Sequence, residues 1–274
     1  MPEVYSHSRL SSFESCPKKF EYRYLLKLPA DTESIEAFAG KRVHEVLERL
    51  YQAAKASRVP SLGRVLERFR ALWNEHFDAA KLRIARSENG PDHYRENGER
   101  CLTNYYRRHY PFDADETLGL EQRVTFSLDA GGRYRFQGVI DRVVRARDEA
   151  IEIHDFKTAQ RVPRQNDLDR DRQLALYQIG VAEKYGADRP IRLVWHYLLP
   201  DQVRTSTRTP EALDGLRANT IGLIDLIRAE TRFEPRPGPL CAWCEYAEIC
   251  PASGRTRITP LAAPPPPPGQ IPLL

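Results

Sequence analysis

The sequence predicts an α/β fold: a central mixed β-sheet flanked by helices, with an N-terminal helical cap. Three observations predict it. Apolar residues recur at helical spacing through the first 112 positions. The period then changes to two, and from there strand-like and helical stretches alternate as far as residue 231.

In chain order, Leu10, Phe13, Phe20 and Tyr24 mark a first helix after a polar start at Ser6 and Ser8. IEAFAGKRVHEVLERLYQAAKA predicts a second, with Val43, Val46, Leu47 and Leu50 on one stripe. Two more fall near residues 62–80 and 93–109. QRVTFSLD alternates Val124, Phe126 and Leu128 as a strand. GGRYRFQGVIDRVVR follows a Gly-Gly turn as a second strand, and AIEIHDFK is a third. A helix at 168–186, a buried strand IRLVWHYLL and a long helix near 210–231 complete the pattern. The domain reading is one domain over 1–255: a mainly helical part (1–112), an α/β core (113–232) and a cysteine-bearing segment (233–255). The tail at 256–274 holds five consecutive prolines, which predict polyproline II or disorder outside the core.

The 274 residues are 29% charged and 41% hydrophobic with net charge +4, a soluble composition that permits a nucleic-acid partner without demanding one. MPEVYSHSRL has no signal-peptide pattern and no stretch is apolar enough to cross a bilayer, so the expectation is a cytoplasmic chain with no membrane partner. In that compartment five cysteines favour metal or cluster ligation over disulfides. No G-x-x-x-x-G-K-[ST] motif is present, so no built-in NTPase motor is expected.

The chemistry centres on IHDFKT. Asp155 and Lys157 lie two apart on a strand and share a face. A hairpin centred on Asp148 sets Asp141 opposite Asp155, with Cβ atoms about 4.5–5.5 Å apart. Val139, Asp141 and Val143 then share a face with Ile151, Ile153 and Asp155, and a one-residue slip would separate the acids. Two adjacent carboxylates call for a cation, and hard oxygen donors suit Mg²⁺ or Mn²⁺. A lone helical His is more often structural than a ligand, but if the second helix lies over the carboxylate end of the sheet, His44 is a further candidate ligand and tilts the preference toward Mn²⁺. Lys157 can steer a water or stabilise transition-state charge. Without Asp141, a surface Asp–Lys pair would be the better reading. In QLALY, Gln173 and Tyr177 share a helical face; DNA contact and a core Tyr177 beside a surface Gln173 are about equally expected.

Cys241, Cys244 and Cys250 stand in a C-x₂-C-x₅-C pattern, with Cys16 as the distal fourth thiol. Proline follows both Cys16 and Cys250, and three-plus-one spacing suits a [4Fe–4S] cluster better than Zn²⁺; unrelated thiols rank third. Cys101 is left over as a buried thiol.

GKRVHEVLE, GVIDRV, HDFKT and QLALY, in that order, resemble the PD-(D/E)xK nucleases of the RecB type. The cysteine pattern resembles their iron–sulfur branch, which includes the AddB nuclease domain and the CRISPR-adaptation iron–sulfur nucleases. The resemblance implies a restriction-endonuclease-like core. It implies metal ligation by His44, Asp141, Asp155 and the Phe156 carbonyl, with Lys157 as catalytic lysine and Gln173 and Tyr177 as DNA contacts. Glu121 sits where such proteins often carry a further acid. The third-strand acid, often Glu in related families, is Asp155 here, and the shorter side chain puts the metal position in doubt. The function implied is a metal-dependent deoxyribonuclease on single-stranded DNA or DNA ends, in repair, recombination or defence, with Arg161 and Arg164 holding the backbone. A helicase or a repair or CRISPR-type partner fits a chain without a motor. The alternative is a non-catalytic DNA-binding or assembly module that keeps the nuclease fold.

Overall fold

The computed structural model describes residues 3–86, 88–186 and 188–252, so the Pro-rich tail lies outside the described residues. The chain opens with strand β1 (Val4–Tyr5) and helices α1 (His7–Ser15) and α2 (Pro17–Phe20), the latter running into a π-helical turn at Glu21–Leu25. The one helix expected from Leu10 to Tyr24 is therefore broken. Pro17 has no amide hydrogen, so Cys16 turns extended and Pro17 restarts the helix at its first position. A short ribbon, β2 (Glu33–Ser34) with β3 (Leu82–Arg83), brackets α3 (Ile35–Lys55) and α4 (Leu62–His76). Ser34 caps α3 by accepting from the Ala37 amide at 3.2 Å. Next comes α5 (Pro91–His109), then β4 (Glu116–Ser127), β5 (Arg135–Arg145) and β6 (Ile151–Lys157).

The helix expected at 168–186 is two pieces, α6 (Gln165–Leu168) and α7 (Gln173–Tyr185). Asp171 starts α7 by accepting from the Gln173 amide at 2.9 Å. The chain continues through β7 (Ile191–Tyr197), the unforeseen edge strand β8 (Gln202–Ser206) and α8 (Pro210–Ala229). No helix among the described residues is long and apolar enough to cross a membrane.

The main sheet is mixed: β4–β5–β6 antiparallel, β6–β7 parallel through α7, and β7–β8 antiparallel. It separates two apolar cores. Val124, Phe136, Ile153 and Trp195 pack with α7 and α8 on one side, while Phe156 and Leu199 join α3, α4 and α5 on the other. The stripe predicted on α3, Val43, Val46, Leu47 and Leu50, is buried in the second core.

Two irregularities in this sheet position the site. The β5–β6 register is the one a hairpin centred on Asp148 predicts, with Arg142 opposite His154 and Arg145 opposite Ile151. Pairing stops at the Arg142–His154 rung, and further down β5 the same edge is taken by β1, at Arg135 and Phe136. Asp141 therefore lies on an unpaired stretch of that edge. The expected shared face of Val139, Asp141 and Val143 is not observed: Val139 is 41% exposed, whereas Ile140 and Val143, three residues apart, both enter one core. Strict alternation slips by one around Asp141, the kind of local break that re-aims a side chain.

Gly138 of β5 lies against the ring of Tyr177, where an added Cβ would come within 2.1 Å of a ring carbon. Tyr177 is 6% exposed and cannot swing away. Gly138→Ala is expected to cost about 1–3 kcal/mol through overpacking, read as a lower urea midpoint at unchanged slope.

Candidate metal centre

The centre is built where α3 crosses the carboxyl end of β6. His44 projects from α3, and its Nε2 lies 2.8 Å from the Phe156 carbonyl oxygen. A carbonyl only accepts, so Nε2 carries the proton in that contact. Its Nδ1 lies 3.5 Å from Asp141 Oδ1. The other oxygen of Asp141, Oδ2, accepts from the Phe156 amide at 2.6 Å. Asp141 thus replaces the rung that β5 and β6 fail to form, and the unpaired edge is what leaves this amide available to a side chain.

Glu121 completes the group from β4. Its backbone stands at φ +42°, left-handed for a non-glycine residue, and the β4–β5 register shifts nearby between Thr117 and Gly119. Ligand atoms of His44, Glu121 and Asp141 all lie within 4.8 Å of one another. In the sequence, Glu121 was marked only by the family resemblance, as the residue opening the first predicted strand.

Asp155 stands beside the compact group of His44, Glu121 and Asp141. It is 5% exposed on the α7 side of β6 and outside the compact group. Its Oδ1 accepts from Gln173 Nε2 at 3.2 Å. Lys157 Nζ lies 2.7 Å from Oδ2, close enough for an ion pair but not aligned as a hydrogen bond, so Oδ2 keeps no directed donor among the described residues. Gln173 Oε1 accepts from Lys157 at 3.0 Å, so one amide spaces the acid and the lysine.

The electrostatics fit a cation. Burial opposes charge on His44, but its hydrogen bond to Asp141, the fields of Asp141 and Asp155 and the Phe156 carbonyl outweigh burial and raise it to about 9. Glu121 is raised to about 6 by partial burial and then by Asp141. Burial first, then Asp141, raises Asp155, against the lowering pull of Lys157. Burial opposes charge on Lys157, while Asp155 restores and raises it. An imidazolium among three carboxylates marks a place where positive charge is wanted. One imidazole, carboxylates and a carbonyl form the donor set of Mn²⁺ or Mg²⁺, with the Lys157-paired Asp155 beside it.

The remaining predicted contacts are dispersed. Tyr177 is a core residue lying on Gly138. Arg161 is exposed beside the centre, and Arg164 is exposed and ion-paired with Asp167 at 3.2 Å. The four predicted cysteines do come together: Cys16, Cys241, Cys244 and Cys250 line one cavity of about 350 Å³. Backbone amides of Arg236 and Gly238 lie 3.4 Å from the Cys16 and Cys241 sulfurs. Cys101 is buried within the other core, where burial pushes its thiol up to about 12.

A family model described as the PD-(D/E)XK nuclease superfamily matches residues 4–251. No curated protein matches the chain. Among solved structures the chain is similar to a "putative exonuclease" from Eubacterium rectale, at 15% identity and a TM-score of 0.49 over 90% of this chain and 89% of that one. It is also similar to the protein SSO0001, at 15% identity and a TM-score of 0.34 over 86% of this chain and 95% of that one.

Proposed function

Because this chain belongs to the PD-(D/E)XK nuclease superfamily, we propose that it is a divalent-metal-dependent deoxyribonuclease acting on single-stranded DNA or DNA ends. The observation that carries the reading is the convergence of His44, Glu121 and Asp141 within 4.8 Å beside the Asp155–Lys157 pair. The test is digestion of end-labelled single- and double-stranded DNA with Mg²⁺ or Mn²⁺, comparing wild type with Asp155→Ala. Absence of cleavage by wild type on every substrate, or equal cleavage by both proteins, overturns it.

In this reading His44, Asp141, Asp155 and the Phe156 carbonyl hold the ion, with Glu121 closing the open side. A divalent ion bound there supplies positive charge to the phosphate and lowers the pKa of water. Lys157 sets an ammonium beside the reacting phosphate, where negative charge develops in the transition state. Gln173 fixes the spacing of Asp155 and Lys157, and Tyr177 backs Gln173 from the core. Arg161 and Arg164 provide charge for the strand.

Proton and ion compete for His44, so cation affinity depends on pH. The raised pKa means that the His44–Asp141 attraction stabilises the metal-free protein fully below about pH 6.5 and fades as pH rises through about 9. Mg²⁺ binding has the opposite trend. Calorimetry is expected to show weaker binding and more proton release at pH 7 than at pH 9, with this difference reduced in His44→Ala.

The cysteine cavity is read as a [4Fe–4S] site, placing the chain in the RecB-like iron–sulfur branch. Amides directed at thiolate sulfurs are a feature that tunes such clusters. Iron and acid-labile sulfide assays with a visible spectrum decide between a cluster and Zn²⁺. The single domain over 1–255 and a motor-bearing partner belong to the same reading.

A further inference from the structure

A second cavity, of about 590 Å³, opens beside the metal centre between α3, α5 and the segment that follows Lys157. Its polar lining differs from that of the centre. Arg86 and Arg161 bring guanidiniums, Asn89, Asn97 and Gln160 bring amides, and Tyr94 brings a phenol ring. Neither arginine is ion-paired among the described residues, although nearby Arg83, Arg95 and Arg164 all are.

This cavity joins the space over the metal centre. Glu36 and Thr158 line both. Gly40 of α3 forms the neck, where a Cβ would sit 3.4 Å from Thr158 Oγ1. Glu36 Oε1 takes bonds from Tyr94 Oη at 3.4 Å and Trp243 Nε1 at 3.2 Å, which fixes the carboxylate. Its Oε2 is buried and has no hydrogen-bond partner among the described residues.

Another cleft that adjoins the space over the centre, at Ala37 and Lys41, is less suited to a phosphate chain. Its cations Lys19, Arg23, Lys41 and Lys81 are already paired with Glu245, Glu33 and Asp78. A phosphate there must displace carboxylates, whereas Arg86 and Arg161 have none to lose.

We infer that the cavity seats an unpaired nucleotide of the substrate strand next to the scissile phosphate, an inference that rests on the nuclease reading. Arg86 and Arg161 take the phosphates, the amides meet base N–H and acceptor groups, and Tyr94 walls the base. A base can enter only after leaving a duplex stack, so the cavity selects single strands or frayed ends.

The test measures binding of a fluorescently labelled oligo(dT) of about 12 nucleotides in EDTA, where no cleavage is required. Arg86→Ala and Arg161→Ala are each expected to weaken binding and to lower the slope of log affinity against log salt by about 0.7, the share of one single-strand phosphate. Arg86→Lys is expected to keep the slope, and thermal melts check that each variant is folded. Failure of wild type to bind, or wild-type slopes in both alanine variants, overturns the inference. If the slopes fall but wild type cuts no DNA with Mg²⁺ or Mn²⁺, the cavity assignment stands and the nuclease reading fails.

Discussion

Lys157→Met is expected to lower kcat on single-stranded DNA by about 10²–10³-fold with little change in KM, the loss typical of removing one preorganised charge from a transition state. Lys157 is held 2.7 Å from Asp155 Oδ2 and 3.0 Å from Gln173 Oε1, so its ammonium is already ordered before substrate arrives. Methionine keeps the length of the side chain and discards the charge. The change also removes the pull that offsets burial and Asp141 at Asp155, whose pKa then rises further. Asp155→Ala is expected to be as severe, because it takes away both the proposed metal donor and the partner of Lys157. Gln173→Ala leaves both charges in place and loosens only their spacing, so a smaller loss is expected. Wild-type turnover by Lys157→Met would sink the assigned role.

On the proposed cluster reading, Cys16→Ser is expected to remove the visible absorption of the purified protein and to free both ends of the described chain from one another. Cys16 precedes α2, whereas Cys241, Cys244 and Cys250 lie far along the sequence, so the site closes nearly the whole chain. Structural metal sites carry binding energies of order 10 kcal/mol that become folding energy. What remains without it is modest. Phe233 packs on Phe13 and Phe20 with centroids 6.3 and 6.0 Å away, and Tyr22 meets Tyr246 at 5.6 Å. Such ring pairs contribute about 0.5–1.5 kcal/mol each beyond their burial. Limited proteolysis should therefore nick Cys16→Ser within 233–252 under conditions that spare wild type. Cys101→Ser is the control. Its neutral, buried thiol lies outside the cysteine cavity, so full iron content is expected, and loss of iron there would contradict the ligand assignment.

Local pattern fixed much of this protein. The stripe Val43–Val46–Leu47–Leu50 determined the buried face of α3, and with it that His44 lies within a helix rather than a loop. The count of residues on either side of Asp148 determined the β5–β6 register, because side-chain period two admits no neighbouring alternative that keeps Ile151 and Ile153 inside. Cysteine spacing named the four thiols that share a cavity.

Side-chain aim was decided elsewhere. Period two cannot say where a ladder stops, and Asp141 bonds the Phe156 amide because β6 leaves β5 one rung earlier. Glu121 reaches the group through a left-handed backbone that the pairing of two strands imposes. Asp155 turns toward Lys157 and Gln173, and Tyr177 is buried, because α7 packs over that end of the sheet. The cavity of Arg86, Tyr94 and Arg161 draws on α3, α5 and two connecting segments. A sequence determines which residues are helical or extended through short-range periodicity and sterics. Which of them meet depends on where helices cross strands, and that is set by burying two separate apolar cores on opposite faces of one sheet.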